Sequence, residues 1–382
     1  MTDIASAIPP SVKVASRPAR SRRILTTLFA ALVLAGAMYV GARPVGIAPA
    51  LGAFLDPANG VWAMGTTAEL PREASASIPG LGERVQVLYD ARGVPHIFAA
   101  TEEDAYRALG YVVARDRLFQ LELQTRAGAG TLTELFGIRA LDADRETRSL
   151  GLPASAQSKL ASADSTDEGL RATRAYAAGV NSFIDALHPR DYPVEFKMVG
   201  KRPSRWEPEN SIHLLNRMWW TLTQRTPELR KLHARALVGA AAADALFPRN
   251  SPIQEPIQPN GQRAPRYDHS PLPPPGTPDT SALRALAVAQ RVARAFTSRL
   301  AHPSPRVPNT SDALGSNNWA VAPGRTRNGH ALLAGDPHLE LTLPAIWYEV
   351  HLVVPGELDV YGVTIPGAPN VIIGFNRDIA WT

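Results

Sequence analysis

The chain has 382 residues, of which 45% are apolar and 20% are charged, with 34 prolines, 28 glycines and no cysteine. This is the composition of a globular protein, so collagen-like, wholly disordered and disulfide-stapled classes are excluded. The net charge of +5 comes from 40 basic and 35 acidic residues. No basic run interleaved with aromatic residues follows the N-terminus, so we do not expect nucleic acid as a partner.

The N-terminus carries a targeting signal. A basic flank over residues 17–23 precedes an uncharged apolar run over residues 24–42. This order is typical of an uncleaved membrane anchor or, alternatively, of a long cleaved signal peptide. We predict a basic cytoplasmic tail over residues 1–23, a membrane segment over 24–42 and a linker over 43–83. Residues 84–382 are then expected to face the periplasm, either tethered to the inner membrane or released from it.

Residues 84–246 are predicted to be mainly helical after a short hairpin. Alternating apolar residues and a turn favour a β-hairpin over residues 84–99. Thr101, with a carboxylate three positions on, is typical of a helix start. Apolar residues at three- and four-residue spacing predict a second helix over 170–187, with Ser165 and Glu168 as candidate caps. A further helical stretch is predicted over 211–242.

The composition changes after residue 246. Residues 247–315 contain 13 of the 34 prolines and few bulky apolar residues. Such a segment contributes little core, so it is predicted to be a linker or spacer. Whether processing excises the spacer or leaves it attached stays open.

From residue 316 the pattern favours β-structure. The Asn328-Gly329 pair predicts a tight type I′ turn between strands over residues 318–323 and 330–335. Further strands are predicted by apolar and β-branched residues and by the Pro-Gly turns between them; they cover residues 345–354, 358–364 and 370–375.

Several familiar catalytic motifs are absent from the sequence. It has no Walker A loop, no H-E-x-x-H, no G-x-S-x-G and no G-x-G-x-x-G after a strand, and its nine histidines lack metal-ligand spacing. A nucleotide-dependent enzyme and a metallohydrolase are therefore not expected.

A series of motifs instead carries a family resemblance. In chain order the motifs are Asp90–Ile97, Gly110–Gln120, Gly130–Gly137, Leu314–Trp319, Asp336–Leu339, Trp347–His351 and Ile365–Pro369. With these motifs the chain resembles the penicillin acylase family of N-terminal-nucleophile hydrolases. The resemblance implies an α+β fold, an αββα sandwich that is incomplete in this chain. It also implies a first-chain region over residues 84–246 and the start of the nucleophile chain over 316–382.

The resemblance identifies Ser316 as the nucleophile and implies self-cleavage between Gly315 and Ser316. In this chemistry the Ser316 hydroxyl attacks the carbonyl of Gly315, and water hydrolyses the resulting ester. Glycine at position 315 makes the strained turn that we expect there less costly, because it has no Cβ. Cleavage gives Ser316 a free α-amino group with a reference pKa of about 7.7–8.0. Ser316 then supplies both the nucleophile and the general base.

The other site residues follow from the resemblance alone. His338 matches a position that orients the nucleophile. Glu228 matches a calcium-ligating glutamate, although a solvated helix face is the alternative. Asp116, Arg117 and Glu134 match a pattern that we interpret as ion-pair architecture. The residues that line the family's acyl pocket are matched by Trp219, Trp220 and Thr223. The alternative for these three residues is an ordinary role in the core.

The resemblance implies hydrolysis of a linear amide with an apolar acyl group through an acyl-Ser316 ester. The substrate would be a β-lactam side chain, an N-acyl-homoserine lactone or another N-acylated amine or peptide. No organic cofactor is expected, calcium would be structural, and the processed chains would form a heterodimer. Because the family's oxyanion donors lie beyond Thr382, we expect this chain to be a truncated precursor that is inactive alone. The alternative is a non-catalytic, membrane-tethered binding module derived from the front half of an acylase.

Overall fold

The computed structural model of the chain describes residues 20–43, 50–66, 74–164, 166–223, 227–248, 271, 273–288, 315–339 and 341–382. These residues form a mixed α+β structure with two compact units. The N-terminal unit combines Met1–Ser75 with Leu187–Pro203, and the main unit combines Ala76–Ala186 with Ser204–Thr382. Most of the predicted spacer lies outside the described residues.

The N-terminal unit begins with helix α1, Arg20–Ala42. Its Ser21–Ala42 portion has a mean hydropathy of 2.0, is long and apolar enough to cross a membrane, and is not buried in the protein. The helix covers the predicted membrane segment. It also includes the last residues of the predicted basic tail, because Arg20–Arg23 continue its backbone.

The predicted linker contains local structure. Helix α2, Gly52–Leu55, and a 3₁₀ turn, Val61–Thr66, lie in the N-terminal unit together with helix α8, Val194–Val199. These elements contact one another within that unit. The structure therefore groups part of the predicted linker with residues 187–203.

A buried lysine holds this arrangement together. Lys197 is only 4% exposed. Its Nζ donates to the carbonyl oxygens of Asn59, Gly60 and Arg190 at 2.8, 3.0 and 2.7 Å. Burial lowers the pKa of Lys197, and the three acceptors offset part of the cost of burying its charge. The periodicity of apolar residues does not predict this packing, because a lysine does not contribute to an apolar pattern.

The main unit contains most of the helices. The helices of this unit have these bounds: α3 Glu102–Ala129, α4 Thr133–Phe136, α5 Leu141–Ser149, α6 Leu152–Ser162, α7 Glu168–Ala186, α9 Pro208–Thr223, α10 Pro227–Val238 and α11 Ala240–Leu246. The stretch predicted over 211–242 is thus three helices. Proline occupies the first position of α9 and of α10, where its missing N–H costs nothing.

Helix α3 begins as the sequence predicts. Thr101 is its N-cap, and its Oγ1 accepts a hydrogen bond from the N–H of Asp104 at 3.2 Å. The helix ends at Gly130, whose φ of +66° lies in the left-handed region that glycine tolerates. At the start of α7 the Asp167 carboxylate accepts from the N–H of Leu170 at 2.9 Å. Ser165, one of the caps predicted for that helix, lies outside the described residues.

Two glycines set the distance between α3 and α7. A Cβ on Gly110 would overlap the carbonyl oxygen of Tyr176, and a Cβ on Gly179 would overlap that of Arg107. The backbones of the two helices therefore approach more closely than any side chain at these positions would allow. This crossing buries Leu109, Val113 and Val180, which are almost fully inaccessible to solvent.

A six-stranded sheet packs on α3. In spatial order its strands are β1 Gln86–Tyr89, β2 Pro95–Phe98, β5 Tyr348–Val354, β6 Leu358–Thr364, β7 Ile373–Phe375 and β8 Ala380–Trp381. Strands β2 and β5 are parallel, and every other neighbouring pair is antiparallel. On β5 the buried side chains alternate, and the sheet contacts α3 through β2 and β5.

Two more strands form a separate sheet. Strand β3, Gly315–Val321, pairs antiparallel with β4, Leu332–His338. The tight Asn-Gly turn predicted here is wrong, because residues 322–331 form a longer loop that begins with a 3₁₀ turn, Pro323–Arg325. Gly329 does adopt a positive φ of +71° within that loop. Of the later strands, the predicted 358–364 matches β6, and the other two are shorter than predicted.

The glycine crossing leads to a stability prediction. Gly179→Ala places a Cβ against a backbone oxygen, so we expect a loss of at least about 2 kcal/mol in the free energy of unfolding. Gly169→Ala in the same helix is the matched control. Its Cβ would lie 3.1 Å from Oδ1 of Asp167, the oxygen that caps the helix. A small shift of that carboxylate opposes the better helix propensity of alanine, so the change should be within about 1 kcal/mol. Equal unfolding midpoints in urea for the two variants would contradict the close crossing.

Candidate active site

The hairpin of β3 and β4 brings three predicted site residues together. In its register Gly315 lies opposite His338, and Ser316 lies opposite Pro337. The three residues therefore meet at the open end of the hairpin. Backbone pairing between the strands is what places them there.

The Ser316 hydroxyl lies against the peptide bond that we predict to be cleaved. Its Oγ donates to the carbonyl oxygen of Gly315 at 2.6 Å. Gly315 is in an extended strand, and its φ is not among the positive values found at other glycines. The strained turn expected at this position is therefore not present in this conformation.

His338 is held from one side and faces Gly315 on the other. Its Nε2 is 2.8 Å from Oδ2 of Asp336. Its Nδ1 is 3.8 Å from the position that a Cβ on Gly315 would occupy. The His338 and Asp336 side chains are 40% and 60% exposed, respectively. The imidazole thus connects a carboxylate to the backbone next to Ser316.

Asp336 was not identified as a site residue from the sequence, although it lies in one of the matching motifs. Asp336 and His338 are two positions apart in a strand, so their side chains lie on the same face. That spacing would have paired them once residues 332–338 were assigned to a strand. The sequence pattern ended the strand at residue 335, before the histidine.

The predicted pocket residues lie on and at the end of α9. Trp219 is 61% exposed, whereas Trp220 is partly buried. The buried Nε1 of Trp220 has no hydrogen-bond partner within the part of the chain that the structure describes. Thr223 ends the helix, and its side chain lies outside the described residues. The two tryptophans therefore have different environments, and the pocket remains a prediction.

Glu228 lies exposed in the first turn of α10. Among the described residues no group of three or more His, Asp or Glu side chains could hold a metal ion. Calcium takes about six to eight oxygen ligands, which one exposed carboxylate does not supply. Glu228 alone does not fit the predicted calcium ion, and no chemical step below depends on calcium.

The predicted ion-pair architecture is present around Arg126. Its guanidinium pairs with Glu122 at 2.6 Å and also with Glu134. Glu122 is buried and accepts hydrogen bonds from the N–H and hydroxyl of Ser204. These contacts join α3 to the segment before α9, so Glu134 has a structural partner.

A second set of contacts joins α3 and α7 to residues 345–367. The Tyr348 hydroxyl donates to Asp116 at 2.6 Å, and Gln120 Nε2 donates to the carbonyl oxygen of Ala345 at 3.0 Å. The buried hydroxyl of Tyr176 accepts from the N–H of Gly367 at 2.9 Å. Burial and the Asp116 carboxylate raise the pKa of Tyr348, so its hydroxyl stays protonated. Asp116 therefore forms a structural ion pair, as predicted, but its partner is Arg115. The guanidinium of the predicted Arg117 instead lies 6.0 Å from the centre of the Tyr348 ring.

The other face of the sheet carries a histidine pair. Nδ1 of His96 on β2 is 3.0 Å from Nδ1 of His351 on β5. Nε2 of His351 is 3.0 Å from Asp359, which also pairs with Arg377 at 2.8 Å. The hydrogen bond from His351 and the Arg377 guanidinium hold the pKa of Asp359 below its usual range. Sequence reasoning missed this cluster because it depends on pairing between strands that are distant in the chain.

Comparison with known proteins identifies the family to which the chain belongs. A model of the penicillin amidase family matches residues 84–382, which include all of these site residues. The chain belongs to the penicillin amidase family. The resemblance inferred from the motifs is thereby confirmed.

Relatives within the penicillin amidase family are acylases. The chain is 38% identical to penicillin acylase 2 proenzyme of Pseudomonas sp. (strain SE83) over 305 residues, covering 78% of the chain and 36% of that protein. It is 30% identical to acyl-homoserine lactone acylase QuiP of Pseudomonas aeruginosa, covering 81% of the chain and 34% of that protein. For penicillin G acylase of Escherichia coli the identity is 27%, with 80% and 40% coverage.

The chain thus spans about a third of the length of the curated relatives that it matches. The chain is also 26% identical in sequence to a solved structure of thermostable penicillin G acylase from Alcaligenes faecalis. That match covers 48% of this chain and 98% of the chain in the solved structure, with a TM-score of 0.38. Membership of the penicillin amidase family therefore rests on the sequence comparisons.

The two hairpin glycines give a matched test of the packing on the hairpin of β3 and β4. A Cβ on Gly335 would overlap the side chain of Thr382, whereas one on Gly315 would be in ordinary contact with His338 at 3.8 Å. We expect Gly335→Ala to destabilise the hairpin by about 1–3 kcal/mol and Gly315→Ala to leave it unchanged. Amide hydrogen exchange of β3 and β4 measures both effects. Faster exchange in Gly315→Ala than in Gly335→Ala would contradict the contact between Gly335 and Thr382.

His213 on α9 gives a pH prediction. It is buried, and burial lowers its pKa while Glu209, 3.3 Å away, partly opposes that shift. The unfolded state then binds a proton more readily than the folded state, so stability falls as the pH drops below the ordinary histidine value of about 6.5. The loss continues until the pH reaches the lower folded-state pKa.

We therefore expect His213→Gln to reduce the decline of the melting temperature between about pH 6.5 and pH 5. His233→Gln, which changes an exposed imidazole on α10, is the control and should keep the wild-type decline. An unchanged decline in His213→Gln would show that His213 is not the residue responsible.

Proposed function

We propose that the protein is a penicillin-acylase-like amidohydrolase precursor that cleaves itself between Gly315 and Ser316. The observation that carries this proposal is the 2.6 Å hydrogen bond between the Ser316 hydroxyl and the Gly315 carbonyl. Membership of the penicillin amidase family supports it. The mature enzyme would hydrolyse a linear amide with an apolar acyl group through an acyl-Ser316 ester.

Self-cleavage proceeds in two balanced steps. The Ser316 oxygen bonds to the carbonyl carbon of Gly315, the C–N bond breaks, and the hydroxyl proton is transferred to the leaving nitrogen. Water then hydrolyses the ester, which leaves a carboxylate on Gly315 and a free amine and hydroxyl on Ser316. The product is an N-terminal serine with its own base.

Substrate hydrolysis uses both groups of Ser316. The α-amine accepts the hydroxyl proton while the oxygen attacks the substrate carbonyl, and the substrate amine leaves with that proton. Water then releases the acyl group as a carboxylic acid. His338, which lies opposite Gly315 in the hairpin, would orient the serine.

The names of the relatives support the proposed substrate class. Their names are those of penicillin acylases and acyl-homoserine lactone acylases. We propose the same class here: a β-lactam side chain, an N-acyl-homoserine lactone or a similar N-acyl amide. Trp219, Trp220 and Thr223 would line the acyl pocket.

After cleavage the two chains would remain together as a heterodimer. Residues 84–246 and 316–382 are joined by the β2–β5 pairing and by the bonds from Gln120 to Ala345 and from Gly367 to Tyr176. None of these contacts depends on the Gly315–Ser316 peptide bond. The proposed fold is the αββα sandwich of N-terminal-nucleophile hydrolases.

Helix α1 supports the proposed location. Its Ser21–Ala42 portion is apolar enough to cross the inner membrane or to act as a signal sequence. With the basic flank on the cytoplasmic side, the catalytic body would face the periplasm in either case. Substrates would therefore be met outside the cytoplasm.

Self-cleavage is tested by determining fragment N-termini of the full-length gene product. We expect one fragment to begin at Ser316, and Ser316→Ala to abolish that fragment because it removes the nucleophile. Ser311→Ala, a serine five positions earlier, is the matched control and should be processed normally.

Two outcomes would contradict self-cleavage before Ser316. Normal processing in Ser316→Ala, or a wild-type protein with no fragment that begins at Ser316, would overturn the mechanism. A protein that stays uncleaved and releases no acid from N-acyl amides would fit a binding module instead.

A further inference from the structure

We infer that the N-terminal unit makes a second membrane contact, through an apolar surface that inserts into the boundary between lipid headgroups and acyl chains. This juxtamembrane surface consists of four side chains: Leu51, Leu55, Trp62 and Met198. The inference rests on the proposed location of helix α1 in the inner membrane. It is carried by the packing of α2 against the end of α1.

The end of α1 sets the depth of the bilayer boundary. At about 1.5 Å per residue, the uncharged run over residues 24–42 is about 29 Å long, close to the roughly 30 Å of a hydrocarbon core. The guanidinium of Arg43 lies 4.7 Å from the centre of the Tyr39 ring and donates to the Tyr39 hydroxyl at 3.1 Å. A tyrosine beside a basic side chain is typical of the boundary between hydrocarbon and headgroups.

Helix α2 is held at the same depth. A Cβ on Gly52, the first residue of α2, would lie only 2.9 Å from the carbonyl oxygen of Gly41. The start of α2 therefore packs directly on the last turn of α1. Because Gly41 lies at the boundary, α2 lies there too.

The large apolar side chains beside this contact are exposed. Leu51 and Leu55 lie one helical turn apart on the same face, since the N–H of Leu55 donates to the carbonyl oxygen of Leu51 at 2.9 Å. Trp62 is 68% exposed, and Met198 is also exposed. The 3₁₀ turn of Trp62 and helix α8 of Met198 contact α2 and each other. Exposed apolar side chains on adjoining segments mark an interaction surface, and the depth of α2 indicates lipid as the partner.

The buried Lys197 fixes the part of this surface that carries Trp62. Its hydrogen bonds to the carbonyl oxygens of Asn59 and Gly60 hold the backbone just before the 3₁₀ turn. Trp62 is therefore presented from a fixed position. An indole ring suits the boundary because it is apolar and its N–H can still donate to a headgroup.

The first experiment measures lipid contact in the full-length gene product, reconstituted in vesicles of phosphatidylethanolamine and phosphatidylglycerol. Trp62→Cys carries an environment-sensitive fluorophore, and any cysteine outside residues 1–382 is replaced by serine. Lipids with a nitroxide near the headgroup should quench this fluorophore at least about twofold. Ile138→Cys is the matched control: Ile138 is also 68% exposed but belongs to the main unit, and its fluorophore should not be quenched.

The second experiment tests whether the contact between α1 and α2 sets the depth. Gly52→Asn, added to Trp62→Cys, places a side chain against the backbone of Gly41, so we expect most of the quenching to be lost. Gly65→Asn is the matched control, because a Cβ at Gly65 meets no atom within 4 Å, and the quenching should stay unchanged. Equal quenching in both variants would contradict the role of the contact.

The outcomes separate this inference from the proposed location. If α1 resists extraction by alkaline carbonate but the fluorophore at position 62 is quenched no more than that at position 138, only the juxtamembrane surface is wrong. A blue-shifted fluorophore that lipid does not quench would show that protein covers the surface, which also overturns the inference. If alkaline carbonate extracts the uncut chain, the proposed location fails and the inference fails with it. Cleavage before Ser316 affects none of these outcomes.

Discussion

The parallel pairing of β2 with β5 is the constraint on which the rest of the main unit depends. It joins His96, Ile97 and Phe98 to residues more than 250 positions later in the chain. One face of β5 packs on α3, and α3 in turn crosses α7 at Gly110 and Gly179. The helical first-chain region and the β-rich later region therefore share one core. A chain cut between these regions would keep that core intact, because the contacts are lateral and do not involve the cut peptide.

The candidate site depends on a different and more local interaction, the pairing of β3 with β4. Ser316, Gly315 and His338 meet because two neighbouring strands pair in one register, and that pairing is independent of the six-stranded sheet. A slip by one residue would turn the side chains to the opposite face and separate His338 from Gly315. The site geometry thus depends on backbone hydrogen bonds within one hairpin, supported where Thr382 packs on Gly335.

Local signals made much of the fold predictable from the sequence. The Thr101 cap, the helix over 170–187 and strand 358–364 follow from capping chemistry and periodicity, which act over a few residues. The candidate nucleophile Ser316 came instead from the resemblance of the motifs to the penicillin acylase family. Long-range contacts could not be predicted from local patterns, because they arise between segments that are distant in the chain. Examples are the His96–His351 pair, the Tyr348–Asp116 bond and the contacts of the buried Lys197. The Asp336–His338 pair was missed because the pattern ended that strand early.

The most direct test of the account is the covalent state of Ser316 during turnover. The full-length gene product would be mixed with a slowly hydrolysed N-acyl amide, quenched in acid, digested and analysed by mass spectrometry. The account predicts that the peptide beginning at Ser316 gains the mass of the acyl group on its first residue. Turnover with the acyl group on any other residue, or with no acylated peptide under conditions that trap esters, would contradict it.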